Sequence, residues 1–330
     1  MSPGLQVVSI RARNQSYRLS VQGGASLFAK LGYDADRAAT VAREAALYRL
    51  LLQARTDVPL APFRGYDPVL HLLGVGWVEG RTLEDALRRG GPRAGAGRAL
   101  GRALVALHQV PPSAAAEALG VNNPGSAPWI LSSHRPSLSR VQDVSPAQAQ
   151  GLALLQKYSA FEELLDRLCR SWSPEALIHN DLRSSNILLA RGCPTLIDWE
   201  LGGPGDPRWD MGSVIGEVLT TWVRALPLSP EGGLDELLAR PRHRIQRFHP
   251  FLRAFVEGYA GGLPRDADRR GWLDAVVGFA AARMILLVLE HATLAPLLPA
   301  SSYYLLQLAL NLSRQPREAA HSFLGLSGFP

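Results

Sequence analysis

The chain reads as an α+β protein in two parts: a small β-rich N-terminal lobe with one key helix, and a large, mainly α-helical C-terminal lobe. Three observations predict this. Short β-prone runs crowd the first eighty residues, apolar residues at three- and four-residue steps dominate from Thr82 onward, and one alternating hairpin pattern interrupts the helical part around Gly192. With 330 residues, 47% of them hydrophobic, the chain can bury a sizeable core, and its length suits about two domains. The composition shift places the boundary between residues 1–80 and 81–330.

In the first lobe, residues 7–10, 17–21 and 26–31 are the expected strands. The last two are separated by Gln22-Gly23-Gly24-Ala25, a hairpin signal. A helix over 36–53 follows, its stripe formed by Ala38, Val41, Ala45, Tyr48 and Leu52. Two more strand-like runs cover 60–66 and 69–78, and Val78-Glu79-Gly80-Arg81 connects to the second lobe. There, Leu100, Leu104 and Leu107 share one face of a helix over 98–108. Residues 111–136, rich in Pro, Gly, Ser and Asn, read as a loop or insertion. Helical patterns return at 147–169, 210–223, 248–259, 269–292 and 301–312.

Composition excludes several classes. Charged residues make up 19% and the net charge is +6, which fits neither an acidic nor a disordered chain. Two cysteines, Cys169 and Cys193, are too few for a disulfide framework or a thiolate metal site. The first residues lack an apolar run of signal-peptide length. The most apolar late stretch, 275–292, carries Arg283 and Glu290 and reads as a buried helix, not a membrane span. The expectation is a cytoplasmic enzyme. Of the 35 basic residues only Lys30 and Lys157 are lysine. The stretch from Arg81 to Arg102 is locally basic, a solvated face or a dock for something acidic. No interleaving of basic and aromatic residues suggests nucleic acid.

The chemistry concentrates between Leu177 and Gly212. Residues 186–190 and 194–198 alternate as two strands around a three-residue loop, Arg191-Gly192-Cys193. Centred on Gly192, that hairpin sets Asn186 directly opposite Asp198, and cross-strand Cβ atoms lie roughly 5 Å apart. An amide oxygen and a carboxylate so placed can share one Mg²⁺, an ion that takes oxygen ligands at about 2.1 Å. Asp181, five residues before Asn186, is placed to accept a proton from an attacking hydroxyl. Each residue alone is an ordinary turn or cap residue. Their joint spacing around one hairpin is what points to a site.

His179-Asn180-Asp181-Leu182-x-x-x-Asn186, then Ile197-Asp198-Trp199-Glu200 and Gly205-Asp206-Pro207-x-x-Asp210, resembles the aminoglycoside phosphotransferase and choline kinase branch of the protein-kinase-like fold. The resemblance implies Asp181 as catalytic base and Asn186 and Asp198 as Mg²⁺ ligands. Asp210 would brace the catalytic loop and His179 would buttress it. It also implies a nucleotide-binding lobe over 1–80 and a lobe carrying the catalytic loop and acceptor site over 81–330. A strand lysine should meet the α- and β-phosphates, held by a glutamate on the next helix. Lys30, the one lysine in the first 150 residues, and Glu44, on the apolar stripe of the helix over 36–53, answer that description. A carboxylate on such a stripe is costly unless paired.

The nucleotide loop, Arg11-Ala12-Arg13-Asn14-Gln15-Ser16, has no glycine, a departure from the glycine-rich form that the phosphotransferase branch often tolerates; Asn14 and backbone N–H groups are the expected phosphate contacts. Adenine should hang on backbone groups near Gly76-Trp77-Val78, with Gly76 and Val78 as the named contacts. Arg183, two after Asp181, is expected to neutralise charge on the transferred phosphoryl group. Ser184 and Ser185 read as loop fillers. The implied cofactors are ATP (or GTP) and Mg²⁺, and the implied activity is phosphate transfer to an alcohol.

The acceptor stays open. An aminoglycoside- or amino-alcohol-like molecule is the first expectation. Against a polycation, residues 201–330 carry 12 acidic and 13 basic groups without an acidic cluster beyond Asp266 and Asp268. Trp199, Trp209, Trp222 and Tyr259 are candidates for an aromatic cage but better suited to core packing. Glu200 is the candidate for holding an acceptor amine or hydroxyl. The alternative is a Ser/Thr kinase acting on a precursor peptide in a lanthipeptide- or thioamitide-like pathway, with an acidic leader docked on Arg81 to Arg102 and partner proteins assisting. A second alternative is a nucleotide-binding scaffold without turnover. No nucleic-acid or membrane partner is expected.

Overall fold

The computed structural model describes residues 4–10, 15–122, 125–137, 142, 144–226, 244–264 and 266–326. Strands β1 (Leu5–Ile10), β2 (Gln15–Val21) and β3 (Leu27–Leu31) are followed by helix α1 (Ala35–Gln53), then β4 (Phe63–Asp67) and β5 (Leu72–Gly76). All five strands form one antiparallel sheet in the order β1-β2-β3-β5-β4. Asp34 starts α1 by accepting a hydrogen bond from the Arg37 N–H at 2.7 Å. The buried stripe of α1 is Ala38, Val41, Glu44, Ala45, Leu47, Tyr48 and Leu51. It takes a three-residue step from Tyr48 to Leu51, so Leu52, expected inside, is 52% exposed.

The chain leaves the sheet through β6 (Arg81–Thr82) and enters α2 (Leu83–Arg88), capped by Thr82, and then α3 (Ala94–His108). The segment expected as a loop contains α4 (Pro112–Ala118). Pro112 sits in its first turn, where a missing N–H costs nothing. The single helix expected over 147–169 is two, α5 (Pro146–Lys157) and α6 (Ser159–Ser171). Tyr158 between them is extended, with φ −110° and ψ 110°, so the apolar stripe continues on a new axis through Phe161, Leu164 and Leu168.

Strands β7 (Ala176–Ile178), β8 (Ile187–Ala190), β9 (Cys193–Leu196) and β10 (Gly203–Gly205) frame the loop over 179–186. Helices α7 (Pro207–Arg224), α8 (His249–Ala260), α9 (Arg269–His291) and α10 (Ala300–Arg314) complete the lobe. Its core is helix on helix. Gly101 of α3 lies so close to α8 that an added Cβ would overlap the Phe255 carbonyl, and this lets the two helices meet backbone to backbone. Helix α9 is long and apolar enough to cross a membrane, yet 83% of its most apolar window is buried inside the fold. It is the central core helix of the second lobe, packed against α7 and α10. Cys169 and Cys193 are free and exposed.

Candidate active site

The β8–β9 hairpin fixes the site, and its register differs from the sequence expectation. Observed pairs are Ile187↔Leu196, Leu188↔Thr195, Leu189↔Pro194 and Ala190↔Cys193, so the loop is two residues, Arg191-Gly192. Both have positive φ, 52° and 88°, the backbone a two-residue primed turn requires; Gly192 supplies it without strain. Shortening the loop by one residue sets Asn186 opposite Ile197, whose N–H donates to the Asn186 carbonyl at 3.1 Å, and not opposite Asp198. Asp198 instead leaves the strand in a left-handed conformation, φ 65° and ψ 64°, which carries it towards the sheet lobe.

There it meets Lys30. The ammonium donates to Glu44 Oε2 at 2.8 Å, to Asp198 Oδ1 at 2.6 Å and to Glu200 Oε2 at 2.8 Å. Lys30 and Glu44 are almost fully buried, whereas 37% of the Asp198 side chain is exposed. Burial works against the charge on Lys30, but Glu44, Asp198 and Glu200 outweigh it and hold the amine protonated well above its ordinary range. Burial pushes the Glu44 carboxyl up, opposed by Lys30 and by the Trp199 N–H donated to it at 3.3 Å. Glu200, expected to face an acceptor, lies on Lys30 instead. Its position two after Asp198, within a short 3₁₀ turn, returns its side chain to the same cation.

Carboxylate oxygens of Glu44, Asp198 and Glu200 lie within 4.8 Å of one another around that single ammonium. Three anions against one cation leave a surplus of negative charge made of hard oxygen donors, which fits a divalent cation such as Mg²⁺. Asp198, the most exposed of the three, and the side-chain oxygen of Asn186 are the groups that would hold it.

The loop between β7 and β8 packs against α7. Asp210, fully buried, accepts the His179 N–H at 2.7 Å and the Asn180 N–H at 3.0 Å, and shares a 3.2 Å hydrogen bond with His108 Nε2. His179 is buried, its Nε2 bonded to the Ile197 carbonyl and its ring against Trp199. Asn180 holds φ 65°, turning the chain so that Asp181 points back over the loop. Replacing Asp210 with alanine orphans two buried N–H groups and is expected to lower stability by about 2–5 kcal/mol. Thermal unfolding of Asp210→Ala beside the wild type checks this; an unchanged Tm would deny Asp210 its bracing role.

Asp181 shares the single Nε–H of Arg183 between its two oxygens, at 2.9 and 3.1 Å, and accepts one hydrogen bond from Asn186 Nδ2 at 3.3 Å and one from Arg283 Nη2 at 3.4 Å. Asn186 Nδ2 also donates to the Asp181 carbonyl at 3.0 Å, and its amide oxygen accepts only a long contact, 3.5 Å, from the Ser185 hydroxyl among the described side chains. Arg183, expected to stand open towards a phosphoryl group, lies across Asp181 and also donates to Glu290 Oε1 at 2.9 Å. Burial disfavours its charge, but Asp181 and Glu290 raise its pKa above the usual arginine value.

Arg283, Glu217 and Glu290 escaped the sequence reading as parts of this site. Arg283 of α9 is 1% exposed and bonds Glu217 Oε1 at 3.0 Å. Glu217 Oε2 accepts both the N–H and the hydroxyl of Ser184, at 3.0 and 2.8 Å, so Ser184 anchors the loop and is not filler. Charges interrupting an apolar helix were the available signal: Arg283 and Glu290 are seven apart, as are Asp210 and Glu217, a spacing that keeps each pair on one helix face.

Other expectations fall out differently. The N–H groups of Gly76 and Trp77 donate within the sheet lobe, to Pro62 and Ser26, so of those three residues Val78 follows the spent donors. Asn14, with Arg11 and Arg13, lies outside the described residues. Trp199, Trp209, Trp222 and Tyr259 are all buried core side chains. In the basic stretch, Arg88 pairs with Glu84 and Arg98 with Glu257, each at 2.7 Å.

Comparison with known proteins gives the family and the fold. The phosphotransferase enzyme family model matches residues 4–265. Methylthioribose kinase of Klebsiella pneumoniae subsp. pneumoniae is 30% identical over 125 residues, covering 34% of this chain and 30% of that protein. The match thus spans less than a third of that relative's length. Among solved structures, a choline/ethanolamine kinase family protein from Mesorhizobium loti superposes with a TM-score of 0.58 at 17% identity, over 98% of this chain and 93% of the other. The choline kinase LicA from Streptococcus pneumoniae gives 0.53 at 14%, over 94% of each. These likenesses carry the fold, a protein-kinase-like sheet lobe on a helical lobe. With the family model covering most of the chain as well, this protein belongs to the phosphotransferase enzyme family.

Proposed function

We propose that the chain transfers the γ-phosphoryl group of a nucleoside triphosphate, ATP or GTP, to a hydroxyl of a small molecule. The observation that carries this reading is the convergence on Lys30 of Glu44 from α1 and Asp198 from the end of β9, beside a loop presenting Asp181 and Asn186. In this assignment residues 1–80 bind the nucleotide, and residues 81–330 carry the catalytic loop and the acceptor site.

Lys30 keeps its proton and so offers a fixed positive charge to the α- and β-phosphates, with Glu44 setting its direction. Gly76 and Val78 border the adenine, the Val78 backbone N–H being the donor proposed for it. Asn14 is retained as a phosphate contact from the sequence alone. Asp198 and Asn186 would hold Mg²⁺, which would supply charge neutralisation for the triphosphate. Asp181 accepts the proton of the acceptor hydroxyl as its oxygen bonds to phosphorus and the nucleoside diphosphate leaves. Arg183 and Arg283 hold the Asp181 carboxylate in one orientation, which makes Arg183 a positioning residue here.

The peptide-kinase alternative draws on the stretch from Arg81 to Arg102. Arg88 and Arg98 already have carboxylate partners, so the small-molecule reading is preferred. A γ-phosphate transfer screen against alcohols and candidate precursor peptides tests it. Transfer to a small-molecule hydroxyl is the expected result. Transfer to peptides alone would favour the alternative, and Mg-ATP binding without any transfer would favour a scaffold.

A further inference from the structure

Helix α7 carries Asp210, Glu217 and Arg224 at seven-residue intervals, on one face. The first two reach the catalytic loop, at His179 and Ser184. Arg224, about 10 Å further along the axis by helical rise, continues that line beyond the loop. It lines a cavity of about 130 Å³ together with Arg183, Ser184, Glu217, Thr220 and His291. Arg183 is shared between this cavity and Asp181, so the space opens beside the proposed base.

The charges in this cavity are unevenly satisfied. Three arginines line it: Arg88 is paired with Glu84, and Arg183 with Asp181 and Glu290. Arg224 has no carboxylate within ion-pair distance among the described residues. Its hydrogen bonds run to the Leu287 carbonyl and to the His291 ring. His291 Nδ1 meets its own helix at the Leu287 carbonyl, so the contact with Arg224 falls on Nε2. Glu84 and Glu217 line the same cavity and act on Arg224 through space, but neither touches it, so the half-buried guanidinium is left without a contacting anion, a place a ligand's anionic group can fill.

We propose that Arg224, held in place by the acceptor nitrogen of His291, forms an anion subsite in the acceptor pocket, so that the acceptor is a compact alcohol bearing a carboxylate or phosphate group. This rests on the phosphotransfer reading and narrows its substrate class. The guanidinium would take the anionic oxygens as a fork, Thr220 and Thr221 add hydroxyl donors along the same wall, and the acceptor hydroxyl would reach towards Asp181 past Arg183. The cavity falls well under the roughly 300–1,000 Å³ of sites for drug-sized ligands, which suits a molecule of a few heavy atoms and not a multi-ring polycation. Burial lowers the pKa of Arg224 against the pull of Glu217 and Glu84, and burial with Arg224 nearby lowers that of His291.

The test uses the full chain and two anionic probes, glycerate and glycerol 3-phosphate, against choline and kanamycin. Binding is measured calorimetrically with a non-hydrolysable Mg-nucleotide present, and transfer with Mg-ATP. Binding of at least one anionic probe, weakened about 10- to 100-fold in Arg224→Gln with nucleotide affinity unchanged, supports the subsite. Arg224→Lys should recover part of the loss by restoring charge without the fork. The two probes separate a carboxylate from a phosphate preference. Binding of choline or kanamycin but neither anion, no binding of any anion, or equal anion binding by wild type and Arg224→Gln overturns it. Mg-nucleotide binding, read in the same titrations, reports separately on the phosphotransfer reading.

Discussion

Asp181→Asn is expected to lower phosphate transfer by about 10²- to 10⁴-fold while Mg-nucleotide binding stays as in the wild type. The substitution keeps the size of the side chain and removes its proton-accepting charge. Nothing in the nucleotide assignment depends on Asp181, because its hydrogen bonds run to Arg183, Asn186 and Arg283, not to Lys30. The loop has reason to hold. Arg183 retains Glu290, Arg283 retains Glu217, and the Asn186 amide still donates to the carbonyl of residue 181. Single-turnover transfer, nucleotide titration and a melting curve on the same preparation separate the outcomes. A variant that binds nucleotide and transfers at the wild-type rate would remove Asp181 from the mechanism. A variant that loses nucleotide binding would place Asp181 in the wrong part of the site.

The site was readable wherever its chemistry left an unusual residue in an otherwise uniform context. Lys30 stood out because the chain elsewhere uses arginine, and Glu44 because it broke an apolar stripe; the structure joins them at 2.8 Å. The two-lobe organisation was legible for the same reason, since strand and helix periods differ and switch near residue 80. Register was harder. Whether the turn at Gly192 holds two residues or three depends on Arg191 adopting positive φ, which an arginine side chain does not advertise, and one residue moved Asn186 away from the partner expected for it. The network beneath the loop was harder still. Arg283 and Glu290 were visible as interruptions of an apolar helix, but periodicity cannot say which neighbouring element supplies the opposite charge. The bend at Tyr158 has no glycine or proline to announce it, and helical spacing runs through it unbroken.

Asp198→Ala is expected to abolish both transfer and tight Mg-nucleotide binding, yet to leave the fold nearly as stable as before. Of the three carboxylates on Lys30, Asp198 is the most exposed, with side-chain values of 37% against 5% for Glu44 and 11% for Glu200. Removing it leaves the ammonium bonded to the other two, and a part-exposed pair contributes at most about 1 kcal/mol. Lys30→Met makes the contrast. It strips the cation from three clustered carboxylates, and breaking a buried pair from one side costs about 3–5 kcal/mol unless Glu44 takes up a proton. Both variants should fail to transfer phosphate, but only Lys30→Met should melt markedly earlier. Calorimetric titration with a non-hydrolysable nucleotide, with and without Mg²⁺, completes the comparison: in Asp198→Ala the metal should no longer improve nucleotide affinity. Should Mg²⁺ enhance binding in that variant as it does in the wild type, the metal site lies elsewhere, and Asp198 serves only to orient Lys30.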